Sequence, residues 1–156
     1  MGPGVAFRIG AWNISQLRDS VFCLCPSGTG FGWRVYLALT TQCIPVIIQP
    51  MVRQAYHDLL PYSKLALTYS MADVRQLPEL LRSVPHGRIC ELRAQAARYY
   101  RALMWQAPDG IAYDLLQLSL CRRALTMWPK GQPPPAWAAC ARISAEHLLR
   151  HVRSLA

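Results

Sequence analysis

The sequence predicts an α/β domain with a small, mainly parallel sheet, followed by C-terminal helices. Three observations lead there. Two short β-prone runs, Ser20-Val-Phe-Cys-Leu-Cys25 and Ile44-Pro-Val-Ile-Ile48, flank a glycine-rich loop and one helical segment. The second run is apolar on both faces, as a buried parallel strand is. After a third short run the apolar residues recur at helical spacing to the end of the chain. Strands alternating with helices, then helices alone, fit a layered α/β arrangement.

The elements follow in order. Residues 1–15 read as an irregular lead-in, because Gly2, Pro3, Gly4 and Gly10 break any period. Residues 16–128 read as the folded α/β domain. Within it the first strand is stopped by Pro26, and Ser27-Gly-Thr-Gly-Phe-Gly32 forms a loop with glycines at alternate positions. Trp33 to Thr41 follows as a short helix and Ile44 to Ile48 as the second strand. Pro45 fits that strand only where the ladder does not need its missing N–H. A helical turn is expected near Tyr56 to Leu60, and a third strand at Leu65-Ala-Leu-Thr-Tyr69.

Val74, Leu77, Leu81 and Val84 then mark a helix, with Asp73 and Gln76 spaced as a capping box. Pro78 either distorts its first turn or marks its regular start. Ile89, Leu92, Ala96, Tyr99 and Leu103 define a longer amphipathic helix with Arg93, Arg98 and Arg101 on its other side. Tyr113 to Met127 is another. Residues 129–135, with Pro133-Pro-Pro135, read as a stiff connector, and residues 136–156 as a terminal helix from Trp137 to Leu155.

Composition bounds what such a chain can do. With 156 residues, 53% hydrophobic and 16% charged, it is long enough for one well-filled core and too apolar to be mostly disordered. Seventeen Lys+Arg against eight Asp+Glu give a net charge of +9, a field that attracts anions. Lys64 and Lys130 are the only lysines and the arginines form no run, so nucleic acid is not an expected partner. Six cysteines are too few for a disulfide scaffold, and none falls in a C-x-x-C pair, so no metal site is expected. An even count permits bridges without demanding them. Cys23 and Cys25 share one strand face, where free cysteine acts as a small buried hydrophobe. No uncharged apolar stretch reaches the ~18 residues of a membrane span, and Met1 to Trp12 lacks a signal-peptide layout.

The segment from Cys25 to Arg34 carries the chemistry. Glycines between a strand and a helix let backbone N–H groups approach a phosphate, and the helix start favours the anion. Arg34, in the first turn, can fork two hydrogen bonds onto phosphate oxygens. Ser27, Gly28, Thr29, Gly30 and Arg34 are therefore the candidate diphosphate-binding residues. No Gly-Lys-Ser or Gly-Lys-Thr follows, which excludes a nucleoside triphosphatase loop. The second strand ends Ile48-Gln49-Pro50 without the acidic residue of a dinucleotide site, so a nicotinamide cofactor is not expected.

The strings Phe22-Cys-Leu-Cys-Pro-Ser-Gly28, Arg34, Gln42-Cys-Ile-Pro-Val-Ile-Ile48, Leu59-Leu-Pro-Tyr62, Ala72-Asp73 and Leu80-Leu-Arg-Ser-Val84 resemble the C-terminal region of the exostosin glycosyltransferase family, in particular its plant and green-algal members. The resemblance runs from residue 20 to about residue 104 and weakens toward Arg123. It implies the Rossmann-like, donor-binding half of a GT-B transferase of the Golgi. Its substrates would be a nucleotide sugar (a UDP- or GDP-sugar) and a polysaccharide or protein-linked glycan acceptor, with no tightly bound cofactor. It also implies an N-terminal, acceptor-side half that this chain does not match, so the chain is expected to be incomplete as a catalyst. Many family members carry a glutamate three residues after the motif arginine, where this chain has Leu37. Loss of a buried charged acceptor there is worth about 1.5–3 kcal/mol. The rival expectation is a non-catalytic relic or interaction module with a decayed donor site.

Other polar residues give weaker signals. His147 and His151 have metal-ligand spacing on one helix, but no third ligand is indicated and a solvated face is expected. His57 and Asp58 are expected to be structural. Tyr99, Tyr100, Trp105 and Tyr113 fit core and boundary positions better than a sugar-stacking platform. No residue stands out as a catalytic base.

Overall fold

The computed structural model describes residues 13–26, 33–48, 51–106 and 108–154, and these residues form a mixed α/β structure that includes a three-stranded parallel sheet. The elements are α1 (Ile14–Arg18), β1 (Phe22–Pro26), α2 (Trp33–Thr40), β2 (Ile44–Ile48), α3 (Tyr62–Leu65) and β3 (Leu67–Thr68). After them come α4 (Leu77–Arg82), α5 (His86–Tyr99), α6 (Ala112–Thr126) and α7 (Ala145–Ser154), with 3-10 turns at Met71–Gln76, Tyr100–Leu103 and Ala136–Arg142. The chain divides into two compact units. One holds the described residues up to Arg53 together with Ser63–Ala97, and the other holds Gln54–Tyr62 and the described residues from Arg98 onward.

In the first unit β2 is the central strand, which is why the sequence makes it apolar on both faces: all five of its residues are buried. Its neighbours run parallel to it, with Leu24 opposite Val46 and Leu67 also opposite Val46. β1 alternates instead, hiding Cys23 and Cys25 and exposing Leu24. Pro45 is tolerated for a geometric reason. The Ile44 N–H donates to Val21 O at 3.0 Å, on the β1 side, so the Pro45 nitrogen faces the opposite side. There β3 begins only at the level of Val46, one residue later, and no ladder bond is lost. Val46, Ile48, Leu77 and Leu81 form a core cluster between sheet and α4, with Phe22, Leu67 and Tyr69 packed against it.

The turn between α2 and β2 uses a left-handed residue. Gln42 has φ 61°, the Cys43 N–H donates to Ala38 O at 2.9 Å and the Gln42 N–H to Leu39 O at 3.2 Å. That is a Schellman closure with glutamine in the position usually held by glycine. It delivers Cys43 to the start of β2, where it forms a disulfide with Cys23, Cα–Cα 5.8 Å. The expectation that Cys23 is a free buried thiol is thus corrected, and of the pair Cys23 and Cys25 the bridge takes Cys23. A second disulfide, Cys121–Cys140, lies in the other unit.

Several elements differ from their expected form. α1 lies partly in the expected lead-in, started by the Asn13 side chain accepting from the Ser15 N–H at 3.2 Å. The helical turn expected near Tyr56 to Leu60 forms as a single turn, the Leu59 and Leu60 N–H groups both donating to Tyr56 O at 2.8 Å; Tyr56 itself has φ 54°, and its hydroxyl donates to Ala112 O at 2.8 Å. The third strand is cut to two residues, its expected start Leu65 belonging to α3. Asp73 is not a cap but its partner. The Ser70 N–H and hydroxyl donate to Asp73 Oδ2 at 2.8 and 2.6 Å, which lowers the carboxyl's pKa from its ordinary value. The Pro78 alternatives resolve as a 3-10 turn up to Gln76 and an α-helix that carries Pro78 in its first turn.

In the second unit α6 matches its expected span within a residue at each end. Tyr100–Leu103 tightens to 3-10 geometry instead of continuing α5. The expected terminal helix is broken: Ile143 is extended with ψ 134°, and the Ser144 hydroxyl accepts from the His147 N–H at 3.0 Å to start α7. Arg122 donates to Ile143 O at 3.0 Å, and Trp128 packs edge-on against Trp137 at 5.8 Å. Arg98 and the Tyr99 hydroxyl both donate to Glu146 Oε1, at 3.2 and 3.3 Å.

Candidate functional site

β1 and β2 end side by side, with Pro26 opposite Ile48. Parallel sheets bind ligands beyond such carboxyl ends. The segments that follow these two strand ends, residues 27–32 and 49–50, lie outside the described residues, and with them Ser27, Gly28, Thr29 and Gly30. Arg34 is described. It is the second residue of α2 and is exposed to solvent.

Burial pushes the Cys25 thiol up to about 12, while a backbone hydrogen bond at Val46 and the positive charge of Arg34 act in the opposite sense. Cys25 is the penultimate residue of β1. The thiol stays protonated at neutral pH. Above the ordinary value of 9.0 the unfolded chain releases this proton while the folded chain keeps it up to about 12, so stability is expected to fall across that window. Cys90, by contrast, is free and exposed, with its sulfur 3.7 Å from His86 Nδ1. Iodoacetamide at pH 8 is expected to label Cys90 alone in the native chain. Rapid labelling of Cys25 by peptide mass mapping would contradict this placement.

α2 is anchored by its inner face, where Val35, Ala38 and Leu39 are buried. At its far end the hydroxyls of Thr40 and Thr41 donate back to helix carbonyls, Thr41 Oγ1 to Leu37 O at 2.7 Å. The outer face begins with Trp33, which is 61% exposed and stacks on Tyr36 with ring centroids 4.9 Å apart. Leu37 is half-buried and lies one turn beyond Arg34. The glycine and arginine pattern did not single out this aromatic pair. The signal was present as Trp and Tyr at i, i+3 spacing flanking the arginine.

The remaining candidates separate. His57 and Asp58 are exposed and belong to the second unit. His147 is exposed, and no cluster of three metal-ligating side chains occurs among the described residues. Tyr99 is buried and Tyr100 half-buried, as expected of core and boundary residues, whereas Trp105 and Tyr113 are 58% and 60% exposed. No helix among the described residues is long and apolar enough to cross a membrane.

The small three-stranded parallel sheet with its helices is a mixed α/β structure. Residues 9–84 match the Exostosin GT47 domain. The chain is 30% identical over 95 residues to "Exostosin-1 homolog" of Caenorhabditis elegans, covering 60% of this chain and 25% of that protein. It is 34% identical over 83 residues to "Probable glucuronosyltransferase GUT1" of Oryza sativa subsp. japonica, covering 53% and 20%. It is 31% identical over 113 residues to "Probable beta-1,4-xylosyltransferase IRX10" of Arabidopsis thaliana, covering 69% and 27%. These matches bear out the resemblance to the exostosin-like glycosyltransferase family. The chain spans about a quarter of the length of these relatives.

Proposed function

We propose that this chain is the donor-binding part of a glycosyltransferase, holding the diphosphate of a UDP- or GDP-sugar between the segment after β1 and the first turn of α2. Arg34 forks onto the phosphate oxygens, and the backbone N–H groups of Ser27, Gly28, Thr29 and Gly30 supply the rest of the cradle. In this reading residues 16–128 form a Rossmann-like half of a GT-B enzyme. A connector at 129–135 and the terminal segment 136–156 follow it. The acceptor glycan and the catalytic base belong to a second half supplied elsewhere, and the assembled enzyme works in the Golgi.

The observation that carries the reading is the position of Arg34: exposed and in the first turn of α2, the helix that follows β1. The family match and the names of the relatives supply the substrate class. A second reading, a non-catalytic module, rests on Leu37. It lies one turn from Arg34 and gives a donor hydroxyl no partner.

Calorimetric titration of the whole chain with UDP and GDP tests the proposal. Binding is expected, and Arg34→Ala is expected to weaken it about ten- to a hundredfold, the range of a charge-assisted hydrogen bond. Equal affinities for the two proteins would remove Arg34 from the site. Absence of any saturation-transfer signal from either nucleotide or its sugar conjugates would favour the non-catalytic module.

A further inference from the structure

The aromatic pair on α2, exposed Trp33 and half-buried Tyr36, is not used by the phosphate cradle, yet it shares the first turn of the helix with Arg34. In a helix successive residues turn by roughly 100°, and residues three or four apart are surface neighbours. Tyr36, Trp33, Leu37 and Arg34 therefore follow one another around the outer face of α2, opposite the buried Val35, Ala38 and Leu39. Trp33 is held by its stack on Tyr36, an interplanar angle of 25°, while 61% of its surface remains in water. A rigid, solvent-open indole beside an exposed guanidinium matches a ligand that has a flat aromatic ring at one end and phosphates at the other. Leu37 lies one turn further along the helix than Arg34, and its side chain can neither accept nor donate a hydrogen bond.

We infer that the outer face of α2 is a nucleoside diphosphate subsite in which Trp33, braced by Tyr36, stacks on the base while Arg34 holds the pyrophosphate, and that Leu37 leaves this face without selectivity for the attached sugar. The inference rests on the donor-binding reading above and specifies how that site recognises its ligand. Recognition through the π-face tolerates different bases, because every base presents one.

The test is a calorimetric comparison of the whole chain with its Trp33→Ala and Arg34→Ala variants, using UDP, UDP-glucose and inorganic pyrophosphate as ligands. Trp33 makes little contact with the core, and far-UV circular dichroism verifies that each variant folds. Trp33→Ala is expected to weaken UDP on the order of tenfold, the effect of losing one stacking partner, and to leave pyrophosphate unchanged. Arg34→Ala is expected to weaken both. UDP and UDP-glucose are expected to bind the wild-type chain within about threefold of each other, since the sugar gains no charged partner. If Arg34→Ala weakens UDP and Trp33→Ala does not, the phosphate site stands and the stacking subsite is overturned. A wild-type preference for UDP-glucose above tenfold overturns the indifference to sugar. Failure of UDP and pyrophosphate alike to bind the wild-type chain overturns both readings.

Discussion

Replacing Cys23 and Cys43 together by serine is expected to lower the stability of the first unit by about 3 kcal/mol, the loop-closure contribution of a bridge spanning this length of chain. The bridged residues are 20 positions apart, and the loop between them contains α2, which gives the unfolded chain considerable freedom to lose. Both cysteines are buried, so their serine hydroxyls would also need partners that this apolar surrounding does not supply. Urea unfolding of the variant and of the wild-type chain, without reductant, measures the difference as a lower midpoint, with each free energy taken from its own slope because the unbridged unfolded chain is more expanded. A midpoint identical to the wild type would mean that the bridge is not part of the folded structure. The bridge joins the second residue of β1 to the residue before β2, at the opposite end from Pro26 and Ile48. Nucleotide affinity at low temperature, where the variant is still folded, is therefore expected to change much less than stability does.

The same pair shows what could and could not be read from the residues. The strand–loop–helix–strand order was legible because each element is marked locally: β-branched and apolar residues in β2, Pro26 and the glycines after β1, and the apolar positions of α2. The Cys23–Cys43 pairing was not, because it depends on the parallel register and on how the α2–β2 turn delivers Cys43. That turn is closed by Gln42 at positive φ, a position the eye expects glycine to mark. Tyr56 hides another break in the same way. Its backbone is left-handed and its hydroxyl bonds to Ala112, 56 residues away, neither of which a local pattern announces. Asp73 was read one register late, since Ser70 and Asp73 satisfy the same three-residue spacing as Asp73 and Gln76. For the site, the arginine and its place after the strand were legible from motif spacing. The exposure of Trp33 was not, because an aromatic on a short apolar helix reads as core until its neighbours are known.

Gly110→Ala is expected to destabilise the second unit by about 2–3 kcal/mol, the scale of overpacking against atoms that cannot move aside. A methyl group there would lie 2.6 Å from the Met104 carbonyl carbon and 2.9 Å from Gln106 O, with the Met104 oxygen as its nearest contact. All three are backbone atoms, so no side chain can rotate away to make room. The segment is also committed by hydrogen bonds. The Gly110 N–H donates to Gln106 O at 2.8 Å, the Ile111 N–H to Arg101 O at 3.0 Å and the Ala112 N–H to Met104 O at 3.1 Å. These bonds tie the 3-10 turn that follows α5 to the start of α6, and relief of the clash requires stretching at least one of them. Gly87→Ala supplies the opposite control. Gly87 lies in the first turn of α5, and an added methyl meets nothing within 4 Å. That substitution is expected to stabilise by about 0.5–1 kcal/mol through the reduced freedom of the unfolded chain. Urea midpoints that move in opposite directions for the two variants would bear out this reading of the turn. A Gly110→Ala midpoint at or above the wild type would mean that the backbone around Met104 yields far more easily than its hydrogen bonds imply.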